Sequence, residues 1–303
     1  MKRNRNLNTS LTLTALIVMA SILGCQENEG SSTPTGSITI AVTDSPIGDA
    51  SAVFVQFTGL KLYNMDGSRT EITFDEPKRV DLLSLQGSLS EEVLTEYSIP
   101  AGDYSHITFD IDFDASYLET AAETFNFELS NLRSAGSILK DILIYDADAG
   151  SSIVPFSIQE GLTTDLTFDF DLRKSIFSED TSNTYSFSPA IRSVLTNEAG
   201  NIAGNVTSIP SNCVLENSAI YAYSGRNQTL KDIRGHSSDP ISTSSIDTDN
   251  GNSYELGFLH NGDYTLAIAC DAADDAVNED DMLSFEGKQN ITVVAGETTN
   301  HDF

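Results

Sequence analysis

From residue 36 onward apolar and polar positions alternate with a period of two, broken at short intervals by turn residues. The clearest run is 165–172, where Leu166, Phe168, Phe170 and Leu172 fall on one side and Asp165, Thr167, Asp169 and Asp171 on the other. That alternation predicts a strand with one buried and one wet face, as in the antiparallel sheets of a sandwich. Residues 37–42 and 52–63 have strand length and are rich in β-branched and aromatic side chains, and Asp66-Gly67 is a hairpin turn signal. A second series at 202–206, 218–223, 253–258, 264–270 and 289–294 is spaced as in a seven-stranded sandwich of roughly 100 residues. Helical pieces are expected only at 81–85 and 88–96, and the polar stretch 224–249 is expected to be a long loop or a poorly paired edge. The reading is all-β, with two β-sandwich-like domains at 36–196 and 201–303 joined through the polar stretch 196–201.

The N-terminus follows another pattern. Lys2, Arg3 and Arg5 precede an apolar run at 11–23, which is shorter than the roughly 20 residues that span a bilayer. The run closes on Ile22-Leu23-Gly24-Cys25, the pattern of a bacterial lipoprotein signal. Residues 1–24 are therefore expected to be a cleaved signal peptide, and 25–35 a lipidated cysteine with a flexible tether. Cys25 would carry thioether-linked diacylglycerol and an acylated amine, since one chain holds a membrane only marginally and several hold it firmly. Gln26, where an Asp would retain the protein at the inner membrane, resembles the Gram-negative sorting signal for the outer membrane, on its periplasmic or surface face.

Removing Cys25 from the thiol count leaves Cys213 and Cys270, which in an oxidising compartment are expected to pair. Metal ligation is the rival reading, but no CxxC pair or histidine cluster accompanies them. The formal net charge is -29 and becomes more negative once the three basic residues of the signal are removed. Such a charge excludes nucleic acid as the expected partner and favours solubility, cations or a cationic partner.

Residues 99–105, Ile-Pro-Ala-Gly-Asp-Tyr-Ser, are echoed by 259–265, Leu-His-Asn-Gly-Asp-Tyr-Thr. In both, Gly permits a tight turn, and the Tyr is expected to bury its ring while its hydroxyl bonds backbone. The run 36–46 (Gly-Ser-Ile-Thr-Ile-Ala-Val-Thr-Asp-Ser-Pro), residues 80–87 (Val-Asp-Leu-Leu-Ser-Leu-Gln-Gly), the Pro-Ala-Gly-Asp-Tyr turn and 168–175 (Phe-Asp-Phe-Asp-Leu-Arg-Lys-Ser) together resemble the domain-of-unknown-function family 4382. That resemblance implies an exported bacterial protein without an assigned reaction. Residues 202–206, 219–223, the Asn-Gly-Asp-Tyr turn and 293–298 resemble the transthyretin-like and carboxypeptidase-regulatory sandwiches, which implies a structural or carbohydrate-binding accessory.

Catalytic motifs are missing from the sequence: there is no Gly-x-Ser-x-Gly elbow, P-loop, Gly-x-Gly-x-x-Gly or His-Glu-x-x-His. His106, His236, His260 and His301 lack ligand spacing; His106 is expected to serve packing or hydrogen bonding, and His260 a solvent-exposed turn. No catalytic residue is assigned. Two acidic runs remain, Asp110, Asp112 and Asp114 on one strand and Asp169 and Asp171 on another. Adjacent strands would crowd these carboxylates unless Ca²⁺ or a basic side chain intervened, so all five are candidate calcium ligands. Residues 247–251 are expected to form a turn instead of an EF-hand loop, and Asp271, Asp274, Asp275, Glu279, Asp280 and Asp281 a solvated acidic loop. The expected function is an envelope-anchored, non-enzymatic binding or structural module. Its membrane contact would be the lipid on Cys25, and its partner a polysaccharide or protein. A carbohydrate-binding module and a calcium-stabilised adhesion protein are the alternatives.

Overall fold

The alternation along the chain becomes strands in the computed structural model, which describes residues 33–45, 50–129, 141–143, 155–178, 185–187, 189–234, 239–276 and 279–303. The signal segment, Cys25 and His236 lie outside the described residues. The first half carries β1 Thr35–Ser45, β2 Ala52–Asn64, β3 Arg69–Asp81, β4 Glu91–Pro100, β5 Gly102–Ile111, β6 Tyr117–Glu119 and β7 Thr124–Leu129. It continues with β8 Asp141–Leu143, β9 Phe156–Ile158, β10 Thr163–Asp171, the one-turn helix α1 Leu172–Ser175, β11 Ile176–Ser178, β12 Tyr185–Phe187 and β13 Ile191–Leu195. The second half carries β14 Ala199–Asn205, β15 Ala219–Ser224, β16 Ser242–Ser245, β17 Ser253–His260, β18 Gly262–Ala269, β19 Phe285–Val293 and β20 Thr298–Asn300. Among the described residues no helix is long and apolar enough to cross a membrane.

The first half folds as two sheets over one core. A four-stranded sheet runs β13-β10-β1-β4; a nine-stranded sheet runs β11-β12-β7-β6-β2-β5-β8, with β3 on β2 and β9 on β5. Strand β2 shows how sequence sets the packing. Val53, Val55 and Phe57 are buried in odd phase, a bulge falls between Phe57 and Gly59, and Leu60 and Leu62 then continue in even phase. One extra residue thus re-aims the strand without losing its apolar face. Phe57, Phe109, Phe168 and Phe170 meet in the core with ring centroids 5.1–5.8 Å apart, mostly edge to face.

The second half has the expected seven strands, as β17-β14-β20 against β16-β15-β18-β19. Its own core gathers Ile202, Ile220, Leu256, Leu266 and Ile268. The disulfide Cys213–Cys270 is present and ties the segment before β15 to the end of β18. Only a 3-10 turn, Thr196–Glu198, separates β13 from β14, and Thr33–Phe303 form a single compact unit. The predicted polar boundary is therefore a tight turn.

Three local expectations change. Residues 88–96 are not the expected helical piece: 91–100 form β4. Pairing with β1 overrides propensity here, and a left-handed Glu96 (φ 45°) marks an irregularity in that polar edge strand. The helix expected at 81–85 is a single 3-10 turn, Leu82–Ser84. Strand β10 pairs parallel with β1 and antiparallel with β13, so this sheet is mixed. Its polar face is also not wet: Thr167, Asp169 and Asp171 are buried.

The echoed turns form matching corners. Tyr104 donates to the Pro100 carbonyl at 2.7 Å and Tyr264 to the His260 carbonyl at 2.8 Å, each four residues back. Gly102 and Gly262 have φ of 152° and 156°, which favours a residue without Cβ.

Candidate functional site

The buried polar face of β10 is where the two sandwiches meet. Parallel register sets Thr43 beside Asp169 and Ser45 beside Asp171, so the ends of β1 and β10 deliver two of the family-like motifs to one place. The third arrives through the loop after β3. Thr43 Oγ1 donates toward the Leu85 and Leu89 carbonyls, the Asp44 amide donates to Leu85, and Asp44 bridges to Gln86.

Arg192 on β13 is the centre of the seam. It is 6% exposed, pairs with Asp169, and donates to the carbonyls of Phe258 and Gly257 on β17. Phe258 adopts a left-handed backbone (φ 50°), uncommon outside Gly and Asn, in the segment whose carbonyls meet the guanidinium. Gly257 lies flat against the first sandwich, where an added Cβ would stand 1.7 Å from the Gly87 oxygen. Three further contacts cross the seam. His260 Nε2 lies 3.0 Å from the Ser193 carbonyl, Ser45 Oγ lies 3.2 Å from Ser242 Oγ, and Arg173 donates to the Ala272 carbonyl at 2.6 Å.

The carboxylates differ sharply in their partners. Asp171 caps α1 by accepting from the Lys174 amide at 3.1 Å and pairs with the Lys174 ammonium at 2.8 Å. Asp169 has Arg192, yet burial still holds its pKa above the ordinary carboxylate value. Asp44 is 4% exposed, and no donor reaches good hydrogen-bond geometry with its oxygens, the Leu172 amide standing near without it. Burial, then the charges of Asp169 and Asp171, push its pKa well up, and the Leu172 amide only partly opposes them.

The two acidic runs are not brought together, because β5 pairs with β2, β8 and β9 while β10 pairs with β1 and β13. Nor do the first three share one strand face. Asp110 ends in an ion pair with Lys61 at 2.6 Å, Asp112 accepts from Gln56 at 3.2 Å, and Asp114 lies in the 3-10 turn Phe113–Ala115. Asp44 was missed by sequence reasoning. Its signal was its place in the Thr-Asp-Ser-Pro motif; the register with β10 sets it beside Phe170 on the core face, with Asp169 and Asp171 flanking on the other face.

Elsewhere, among the described residues, Asp232, Asp275 and Asp281 bring carboxylate oxygens within 4.8 Å of one another. The acidic loop after Cys270 is therefore partly built in, not merely solvated. This group is already compensated: Arg234 donates to Asp232 at 2.6 Å and Tyr221 to Asp275 at 2.5 Å, and the Ala276 amide donates to Asp281 at 2.7 Å. Residues 247–251 form the expected turn, with Asp247 accepting from the Asp249 and Asn250 amides. Beside the seam, a cleft of about 210 Å³ is walled by Phe156, Leu166, Phe168 and Val194, with His106 and His260 at its polar points. His106 stacks on Tyr63 at 4.3 Å and bonds Ser105, the packing role expected for it. His260 reaches across the seam and is not a free turn residue.

A family model described as "Domain of unknown function (DUF4382)" matches residues 35–189, just over half of the 303-residue chain. No curated protein matches the chain. Among solved structures, the TIE protein of Bacillus anthracis aligns at 11% identity and TM-score 0.22, over 88% of this chain and 34% of its own length. The chain thus spans about a third of that protein. A minor pilin of Streptococcus agalactiae aligns at 9% identity and TM-score 0.23, over 88% of this chain and 94% of its own. A fimbrial protein of Bacteroides ovatus aligns at 9% identity and TM-score 0.21, over 90% and 49%.

Proposed function

We propose that this chain, which belongs to the DUF4382 family, is a lipid-anchored, non-enzymatic module of the bacterial envelope whose two sandwiches act as one rigid binding or structural body. The observation that carries the reading is the Arg192 seam. A pair of independently moving modules keeps its charges in water, whereas here Arg192 and Asp169 are buried and tie β10 and β13 to β17. Breaking such a pair leaves an uncompensated buried charge, so the join resists opening.

Cys25 is the anchoring residue in this reading, and the membrane is its first partner. Nine residues separate it from the start of β1, a reach of at most about 30–32 Å when extended. The Gln26 signal favours the outer membrane of a Gram-negative cell. Labelling with an alkyne fatty acid tests the anchor: wild-type chain takes up label and fractionates with membranes, and Cys25→Ala loses both. Label retained by Cys25→Ala would refute it. Polysaccharide is the second ligand class under consideration, because the cleft at His106 and His260 opens at the junction. Retention of the chain on an envelope polysaccharide column that fails on filling the cleft, as in Val194→Trp, would favour that class over a protein partner.

A further inference from the structure

We propose that the cleft beside the seam binds a neutral sugar unit through hydroxyls that donate to it, an assignment that rests on the polysaccharide reading of the same cleft and names the sugar chemistry it takes. The polar side chains lining the cleft are His106, His260, Ser193 and Glu198, and existing hydrogen bonds fix what both histidines can offer. The Ser193 carbonyl can only accept, so His260 Nε2, 3.0 Å away, carries the ring proton. In the neutral ring Nδ1 is then an acceptor. His106 is the mirror case. The Ser105 hydroxyl donates its one proton to the Tyr63 carbonyl at 3.1 Å, so toward His106 Nδ1, 2.9 Å away, it can only accept. Nδ1 therefore carries the proton and Nε2 is the acceptor. Burial lowers the His106 pKa, which keeps this ring neutral. Among the described residues no donor meets either remaining nitrogen, so each histidine brings one unspent lone pair to the cleft wall.

The Glu198 carboxylate can likewise only accept, and the Ser193 hydroxyl is the one lining side chain able to donate. A set of acceptors over apolar walls discriminates between ligands. A uronate or sulfate would bring further acceptors to two lone pairs and a carboxylate. An ammonium would find acceptors, but it would lose its water against Phe156, Leu166, Phe168 and Val194, with only the exposed Glu198 to offset the charge. A neutral pyranose suits both parts of the site, because its hydroxyls donate and its C–H face lies on the apolar walls. At about 210 Å³ the cleft is smaller than ordinary ligand pockets of about 300–1,000 Å³, which limits it to one sugar unit at a time.

The test passes the full chain over immobilised neutral polysaccharides (a glucan, a mannan and a galactan), over polygalacturonate and over chitosan. The site predicts retention on a neutral polymer, lost when that polymer is O-methylated, which removes the hydroxyl donors and keeps the rings. His106→Phe keeps an aromatic ring against Tyr63 and deletes Nε2, and should weaken retention about 2–10-fold in a protein with the wild-type circular dichroism. Retention on polygalacturonate or chitosan alone, abolished by Val194→Trp, would keep the cleft as a polysaccharide site and overturn the neutral-donor assignment. Retention that survives O-methylation, or that His106→Phe leaves at full strength, would overturn it as well. Silence on every column would overturn the polysaccharide reading itself and this assignment with it.

Discussion

The two sandwiches solve the same packing problem with different material. The first closes a large core on phenylalanines that meet one another, Phe57, Phe109, Phe168 and Phe170, with no cross-link among its described residues. The second, smaller one buries Tyr221, Tyr223, Tyr254 and Tyr264 beside Ala219, Ala222, Ala267 and Ala269, and anchors each hydroxyl to a partner. It then adds the Cys213–Cys270 disulfide. Smaller domains bury a smaller fraction of their surface, so polar-tipped side chains and a covalent staple supply what apolar area supplies in the larger half. The seam between them joins a half held by burial to a half held by bonds.

Arg192→Met is the largest expected perturbation of that relation. It strands Asp169 in the seam and removes two donors to β17, and should cost about 3–5 kcal/mol in denaturant unfolding. It should also separate the unfolding of the two halves. Removing the staple should act on one side only. Cys213→Ala with Cys270→Ala frees a loop whose ends are 57 residues apart, worth about 4 kcal/mol by loop-closure entropy; with the seam intact it lowers the one shared midpoint, and in the Arg192→Met background it lowers the second half's midpoint alone. Tyr104→Phe and Tyr264→Phe sharpen the comparison at matched positions. Each loses one hydroxyl-to-carbonyl bond, so each should cost about 1 kcal/mol, read by the same unfolding curves. Markedly unequal losses would show that the corners are alike in shape but not in load.

The smallest effect is expected at alkaline pH. Burial raises the pKa of Tyr221, with a further contribution from Asp275, and burial likewise raises those of Tyr223 and Tyr254. Folding therefore holds these protons more tightly than the unfolded chain does. Their contribution is complete below the ordinary tyrosine value near 10 and is lost as pH rises above it. In the first half Tyr104 carries such a shift. In the Arg192→Met protein, where the halves separate, denaturant midpoints followed from pH 8 to about 11 should thus fall earlier in the second half.

Much of this was legible in the chain. The alternation at 165–172 located β10, the Gly-Asp-Tyr echo located both corners, and the cysteine count located the disulfide. What escaped depends on distant partners. Period-two alternation says which side chains share a face, but not that a second sandwich covers the polar one, so Asp169 and Asp171 read as wet. The 88–96 segment reads as helix until β1 is present to pair with it. Asp44 acquires its meaning only from β10, more than a hundred residues later, because a side chain's charge is local while its neighbours are set by topology.

The central claim is that the buried seam makes the two halves one cooperative body, and calorimetry of the full chain tests it most directly. The account predicts a single unfolding transition whose calorimetric and van't Hoff enthalpies agree, split into two by Arg192→Met. Two separate transitions in the wild-type chain, unmoved by that substitution, would contradict it.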